Sequence, residues 1–90
     1  MASTQIIIDD STIFDNIDAE QVEFSAEVDA EEYEFALSYG VLEALSGDVP
    51  DGDAALTFHR FIDPISDAAL SALARDSDAT PIVIGEDDLG

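Results

Sequence analysis

Between Val22 and Val28 the chain alternates: Val22, Phe24, Ala26 and Val28 fall on one side, Glu23, Ser25 and Glu27 on the other. Side chains of an extended chain alternate with a period of two, so this pattern predicts a strand with one buried and one solvated face. Tyr33, Phe35 and Leu37 repeat the alternation against Glu34 and Ala36, with Asp29-Ala30-Glu31 between the two runs. Together they predict an antiparallel hairpin that turns at those three residues. Upstream, Gln5 to Ile8 is a short β-branched run closed by Asp9-Asp10-Ser11, which reads as a first strand or an extended arm.

The period then changes. Ser38 precedes Val41, Leu42 and Leu45 as an N-cap would, and Gly47 stands where a left-handed residue ends a helix. After the turn residues from Gly47 to Asp53, the apolar positions Ala55, Phe58, Ile62, Ile65, Ala69 and Ala72 recur in steps of three and four, with Leu70 and Leu73 widening the stripe. Pro64 interrupts this pattern without changing its phase. The expectation is one helix kinked at Pro64 from about Asp53 to Arg75, or two segments with Asp63 as N-cap and Pro64 in the first turn. Pro81-Ile82-Val83-Ile84-Gly85 is a last short strand that pairs with the hairpin.

This order predicts an α+β fold: an antiparallel sheet of the N-terminal hairpin plus the C-terminal strand, with one short helix and one longer, Pro-kinked helix on one face. Residues 1–90 read as a single domain with disordered ends and no internal repeat.

Charge changes the picture more than any motif. Twenty-two Asp and Glu face only Arg60 and Arg75, there is no Lys, and the net charge is −20. On a folded surface of roughly 5,000 Å² that is on the order of one net charge per 250 Å². Such self-repulsion weakens a compact state at ordinary ionic strength and is screened at molar salt, where the Debye length is about 3 Å. A hydrophobic content of 47% nevertheless demands a folded core. The expectation is a halophilic, cytoplasmic protein. A nucleic-acid mimic, a calcium buffer and an acidic tail compete as explanations, but each would group its carboxylates, whereas here they are spread along the chain.

Two arginines cannot supply the basic cluster needed to bind a nucleic-acid backbone or an anionic membrane. The absence of Cys removes disulfides and thiolate chemistry, and neither a signal peptide nor a membrane-spanning run is expected.

His59 and Arg60 are the candidate ligand-binding residues, Arg60 offering a guanidinium fork to an anion and His59 a titratable donor. The bland alternative puts His59 on a solvated helix face and pairs Arg60 with Asp63 or Asp67. Asp48, Asp51 and Asp53 suggest a calcium loop, but its twelfth position, where a bidentate Glu is required, is His59. No nucleophile elbow or phosphate loop is present, so no catalytic residue, metal or cofactor is expected, and the chain is not expected to be an enzyme. Phe24, Tyr33, Phe35, Phe58 and Phe61 are spaced as core residues.

Val22, Phe24 and Ala26, the run Ala36-Leu37-Ser38 into Leu42-Glu43, the stretch Leu56-Thr57-Phe58-His59-Arg60, and the end Ile82-Val83-Ile84-Gly85 with Asp88-Leu89 together resemble the YrdB-like family of small uncharacterised proteins. The resemblance covers about residues 12 to 89. Leu56 stands at a family aromatic, Ala30 at its turn glycine and Phe35 at a frequent Cys, and Pro64 falls inside the family's long helix. It implies an α+β fold and no assigned activity. Leu37-Ser38-Tyr39 and Ile62-Asp63-Pro64 are also similar to the halobacterial output domain of signalling proteins, whose terminal hairpin this chain is too short to contain.

The functional expectation is a non-enzymatic accessory or regulatory domain acting through an unknown protein partner or as a homodimer. The alternatives are a small-anion or nucleotide binder using His59 and Arg60, and an acidic nucleic-acid mimic.

Overall fold

The computed structural model describes residues 5–89. The expectation of disordered ends falls in part on residues 1–4 and 90, which lie outside the described residues. The fold is α+β. A four-stranded sheet in the order β1-β2-β3-β4 comprises β1 (Ile6–Asn16), β2 (Gln21–Val28), β3 (Glu31–Ser38) and β4 (Ile82–Ile84). Three helices, α1 (Tyr39–Ser46), α2 (Ala54–Arg60) and α3 (Ile62–Arg75), join β3 to β4, and a 3-10 turn at Glu86–Leu89 closes the chain.

The hairpin predicted from alternation is present: β2 and β3 pair antiparallel from Gln21–Ser38 to Val28–Glu31, leaving a two-residue turn. Asp29 and Ala30 both hold positive φ, at 52° and 72°, the handedness that a tight turn between right-twisted strands requires. Beyond it the sheet departs from expectation in two ways.

First, of the two readings of Gln5 to Ile8 the strand holds, but it runs on past the expected end to Asn16 and is the edge strand of the sheet. It pairs antiparallel with β2 on both sides of an irregularity between Asp9 and Phe14. There the Asp9 side chain accepts from the Ser11 N–H at 3.1 Å, and Thr12 Oγ1 donates to the Asp9 carbonyl at 2.7 Å. Thr12 Oγ1 also accepts from the Ser25 N–H at 2.8 Å, replacing the ladder bond that the bulge removes. The polar Asp9-Asp10-Ser11 run, which reads as the end of a strand, is thus a bulge inside one.

Second, the sheet is mixed, not purely antiparallel. β4 pairs parallel with β3, placing Ile82 opposite Phe35 and Ile84 opposite Leu37. Three helices lie between these strands and carry the chain back to the end of the sheet where β3 starts. Neighbouring strands joined by such a crossover run parallel.

The caps of α1 are those read from the sequence: the Ser38 side chain accepts from Val41 N–H at 3.4 Å, and Gly47, at φ 87°, donates to Glu43 carbonyl at 2.7 Å. The single long helix resolves into two, and Phe61, not Asp63, occupies the N-cap position of the second. Phe61 leaves helical dihedrals (φ −112°, ψ 29°), while its N–H still bonds the carbonyls of Thr57 and Phe58. Pro64 then falls in the first turn of α3, where its missing donor breaks no helical bond.

One core joins the layers. Val22, Phe24, Ala26, Phe35, Leu37, Ile82 and Ile84 from one sheet face meet Val41, Leu42, Phe58, Ile65, Ala69 and Ala72 from the helices. Phe24 stacks on Phe35 at 5.2 Å between ring centroids and meets the edge of Phe58 at 4.8 Å. Four alanines, at 54, 68, 69 and 72, are fully buried and allow the helices to lie close on the sheet. Among the described residues no helix is long and apolar enough to cross a membrane.

Candidate functional site

The structure sets His59 and Arg60 at the exposed C-terminal end of α2. Consecutive helical residues point about 100° apart, so the two side chains diverge. The His59 ring meets Phe58 edge-on at 6.3 Å. Arg60 lines a depression of about 100 Å³ with Asp48, Asp53 and Thr57, and His59 does not. The ion pair with Asp63 or Asp67 is not formed; among the described residues the pair that forms is Arg75 with Asp88.

That pair holds the C-terminal turn. Asp88 Oδ2 accepts from Arg75 Nη2 at 2.8 Å and from the Gly85 N–H at 2.9 Å, and Oδ1 accepts from the Ser71 hydroxyl at 3.1 Å. Burial works to raise the Asp88 carboxyl, but the Gly85, Arg75 and Ser71 donors and the guanidinium charge outweigh it and hold the group below the usual carboxylate range. Arg75 Nη2 also donates to the Val83 carbonyl at 3.1 Å. This arrangement is a structural clasp, with its carboxylate already occupied by donors.

A second tie joins β1 to α1, where the Tyr39 hydroxyl donates to Asp15. That bond, with burial and the negative charges of Asp15 and Glu20, pushes the phenol up to about 12.

Among the described residues the helices lie on one face of the sheet; on the other face Ala36 is buried, while side chains around it are exposed to solvent. Strand register arranges that open face in cross-strand rows. Phe14 lies opposite Glu23, Glu23 opposite Ala36 and Ala36 opposite Val83. Beside it run Asp9, Ser25 and Glu34, then Ile7, Glu27 and Glu32. Directly opposed side chains share a face, so three large apolar groups stand out of an acidic surface: Ile7 is 60% exposed, Phe14 57% and Val83 57%.

Glu23 is pre-set within this face. Asn16 and Gln21 amides both donate to its Oε2, at 2.9 and 2.7 Å, and hold the carboxyl below its ordinary range against a small opposing effect of burial. Between the strands lies a trough of about 440 Å³ bounded by Phe14, Glu23, Ser25, Glu34, Thr80 and Pro81. What such a surface can do is bury an apolar group and accept hydrogen bonds from a cation. In the sequence Val83 is only one residue of a short β run, and nothing local distinguishes Phe14. The alternation marked Glu23 and Ser25 as solvent-facing, but the register that sets Phe14 and Val83 in one row with Glu23 is a tertiary property.

No known family matches the sequence, and no curated protein does. The fold is similar to a crystal structure of a protein of unknown function from the DUF1488 family of Shewanella loihica PV-4, with a TM-score of 0.75 over 93% of this chain and 96% of that one at 16% identity.

Proposed function

We propose that the chain is a non-enzymatic accessory or regulatory domain of a salt-rich cytoplasm, acting on a protein partner through the open face of its sheet. The observation that carries this reading is the solvent exposure of Ile7, Phe14 and Val83 on a face that no helix covers among the described residues. Apolar groups grouped on an uncovered face and rimmed by carboxylates favour a contact surface over a catalytic cleft. The YrdB-like resemblance implies a small α+β domain with no assigned activity, which is compatible with this reading.

Salt adaptation rests on the net charge of −20 with carboxylates on the sheet face, the turns, α1 and α3, which needs screening to keep the chain compact. The same spread weakens the nucleic-acid mimic, which needs a one-sided stripe. The small-anion or nucleotide reading loses support from the divergence of His59 and Arg60.

A photo-activated cross-linking residue placed at Phe14, and separately at Leu56 on α2, tests the contact surface in living cells. A discrete adduct from position 14 and none from position 56 is expected; identical products from both would remove the reading. Circular dichroism across KCl from about 0.1 to above 1 M tests the salt dependence, with folding expected only as the Debye length falls from about 10 to about 3 Å.

A further inference from the structure

Resting on the reading of the open sheet face as the contact surface, we infer that its partner presents an extended segment with two arginines two residues apart and an aliphatic residue two positions before the first of them, so that all three side chains face the sheet. The arginines sit over Glu23 and Glu34, and the aliphatic residue covers Phe14.

The charge on this face selects the partner. Asp9, Glu23, Glu27, Glu32 and Glu34 all lie in its rows, whereas Arg60 and Arg75 belong to α2 and α3. Covering Phe14 and Val83 also takes water from the neighbouring carboxylates, and a dehydrated carboxylate without a donor is very costly. A second copy of this chain brings another set of carboxylates, and a neutral apolar surface brings no donors. A partner with cations satisfies both demands of the face.

The geometry selects the spacing. Glu23 lies opposite Ala36, and Glu34 is two residues from Ala36 on the same strand, so the two glutamates are diagonal neighbours, about 7–8 Å apart. Alternate side chains of an extended peptide are about 6.5–7 Å apart, which brings residues i and i+2 over this pair.

Both acceptors are available. The Asn16 and Gln21 amides occupy only Oε2 of Glu23, and Glu34 makes no side-chain hydrogen bond among the described residues. A second hollow of about 410 Å³ continues the trough past Ser25, Glu34 and Thr80 toward Glu32 and Ser77, giving an extended chain a path. Arginine suits this place better than lysine, because its flat guanidinium forks onto a carboxylate and stacks on an aromatic ring such as Phe14.

The test uses two acetylated, amidated peptides of equal composition, Leu-Ser-Arg-Ser-Arg and Leu-Ser-Arg-Arg-Ser, titrated into the full chain at 1 M KCl by NMR; in the first, Leu and both Arg side chains fall on one side of the extended peptide. Nonspecific attraction to a protein of charge −20 is the same for both. Alternate spacing is expected to bind about threefold more tightly, with shifts concentrated at Phe14, Glu23, Ser25 and Glu34. Glu34→Gln is expected to erase that preference, and Asp67→Asn on α3 to leave it intact. Equal affinities, or shifts spread over the helices, overturn the inference. If cross-linking from Phe14 still yields a discrete adduct, the contact surface stands and only the partner's chemistry falls; if it yields none, both fall.

Discussion

The guanidinium of Arg75 bonds the carboxylate of Asp88 at 2.8 Å and the carbonyl of Val83 at 3.1 Å, so one side chain at the end of α3 fastens both β4 and the C-terminal turn. Val83 sits in the exposed row of the open face, and this clasp therefore also sets one side of the proposed contact surface.

Asp88→Asn keeps the shape and removes the charge from three donors. Arg75 is 56% exposed, so solvent weakens its share, and a loss of about 1–2 kcal/mol is expected. The Asp88 carboxyl is depressed in the folded state, so its contribution is complete above the unfolded value of about 4 and disappears as pH falls below it. Urea midpoints of the two proteins at fixed high KCl should differ at pH 7 and converge in acid; equal midpoints at pH 7 would contradict the clasp.

Tyr39 gives the opposite dependence. Its phenol is raised from 10 to about 12 by Asp15, so this stabilisation is complete below pH 10 and declines between pH 10 and about 12. In a Tyr33→Phe background, tyrosinate absorbance should titrate near 12, and Asp15→Asn should bring the midpoint down toward 10. A midpoint already near 10 with Asp15 present would mean that the bond does not persist in solution.

Ala30 holds φ 72° in the hairpin turn, where a Cβ is strained and glycine is not. Ala30→Gly is expected to stabilise the fold by about 0.5–1 kcal/mol despite the greater freedom of glycine in the unfolded chain. Thermal unfolding at fixed KCl checks the sign, and a lower midpoint for the glycine variant would refute the argument.

Phe58 is fully buried and its ring meets Phe24 at 4.8 Å, joining α2 to the middle of the sheet. Phe58→Ala should cost about 3–5 kcal/mol, a large part of the stability of a domain this size. By contrast Leu56→Ala, two residues away and 67% exposed, should cost well under 1 kcal/mol. Chemical denaturation of both variants separates a buried wedge from a surface side chain.

What depends on near neighbours is legible in the chain alone. Alternation through Val22 to Val28 and Tyr33 to Leu37 marked both hairpin strands, because one buried face forces a period of two. Ser38 and Gly47 marked the ends of α1, because caps are satisfied within one turn. The α+β class followed from the order of these elements. What depends on distant partners is settled only when the chain folds. Whether β4 runs parallel or antiparallel is set by the path of the helices before it, and its three residues carry no sign of direction. The Asp9-Asp10-Ser11 run continues a strand because Thr12 can bond Ser25, thirteen residues on. Asp88 is one acid among 22 until Arg75, Gly85 and Ser71 converge on it. Phe14 and Val83, 69 positions apart, share a row only because two intervening strands bring Glu23 and Ala36 between them.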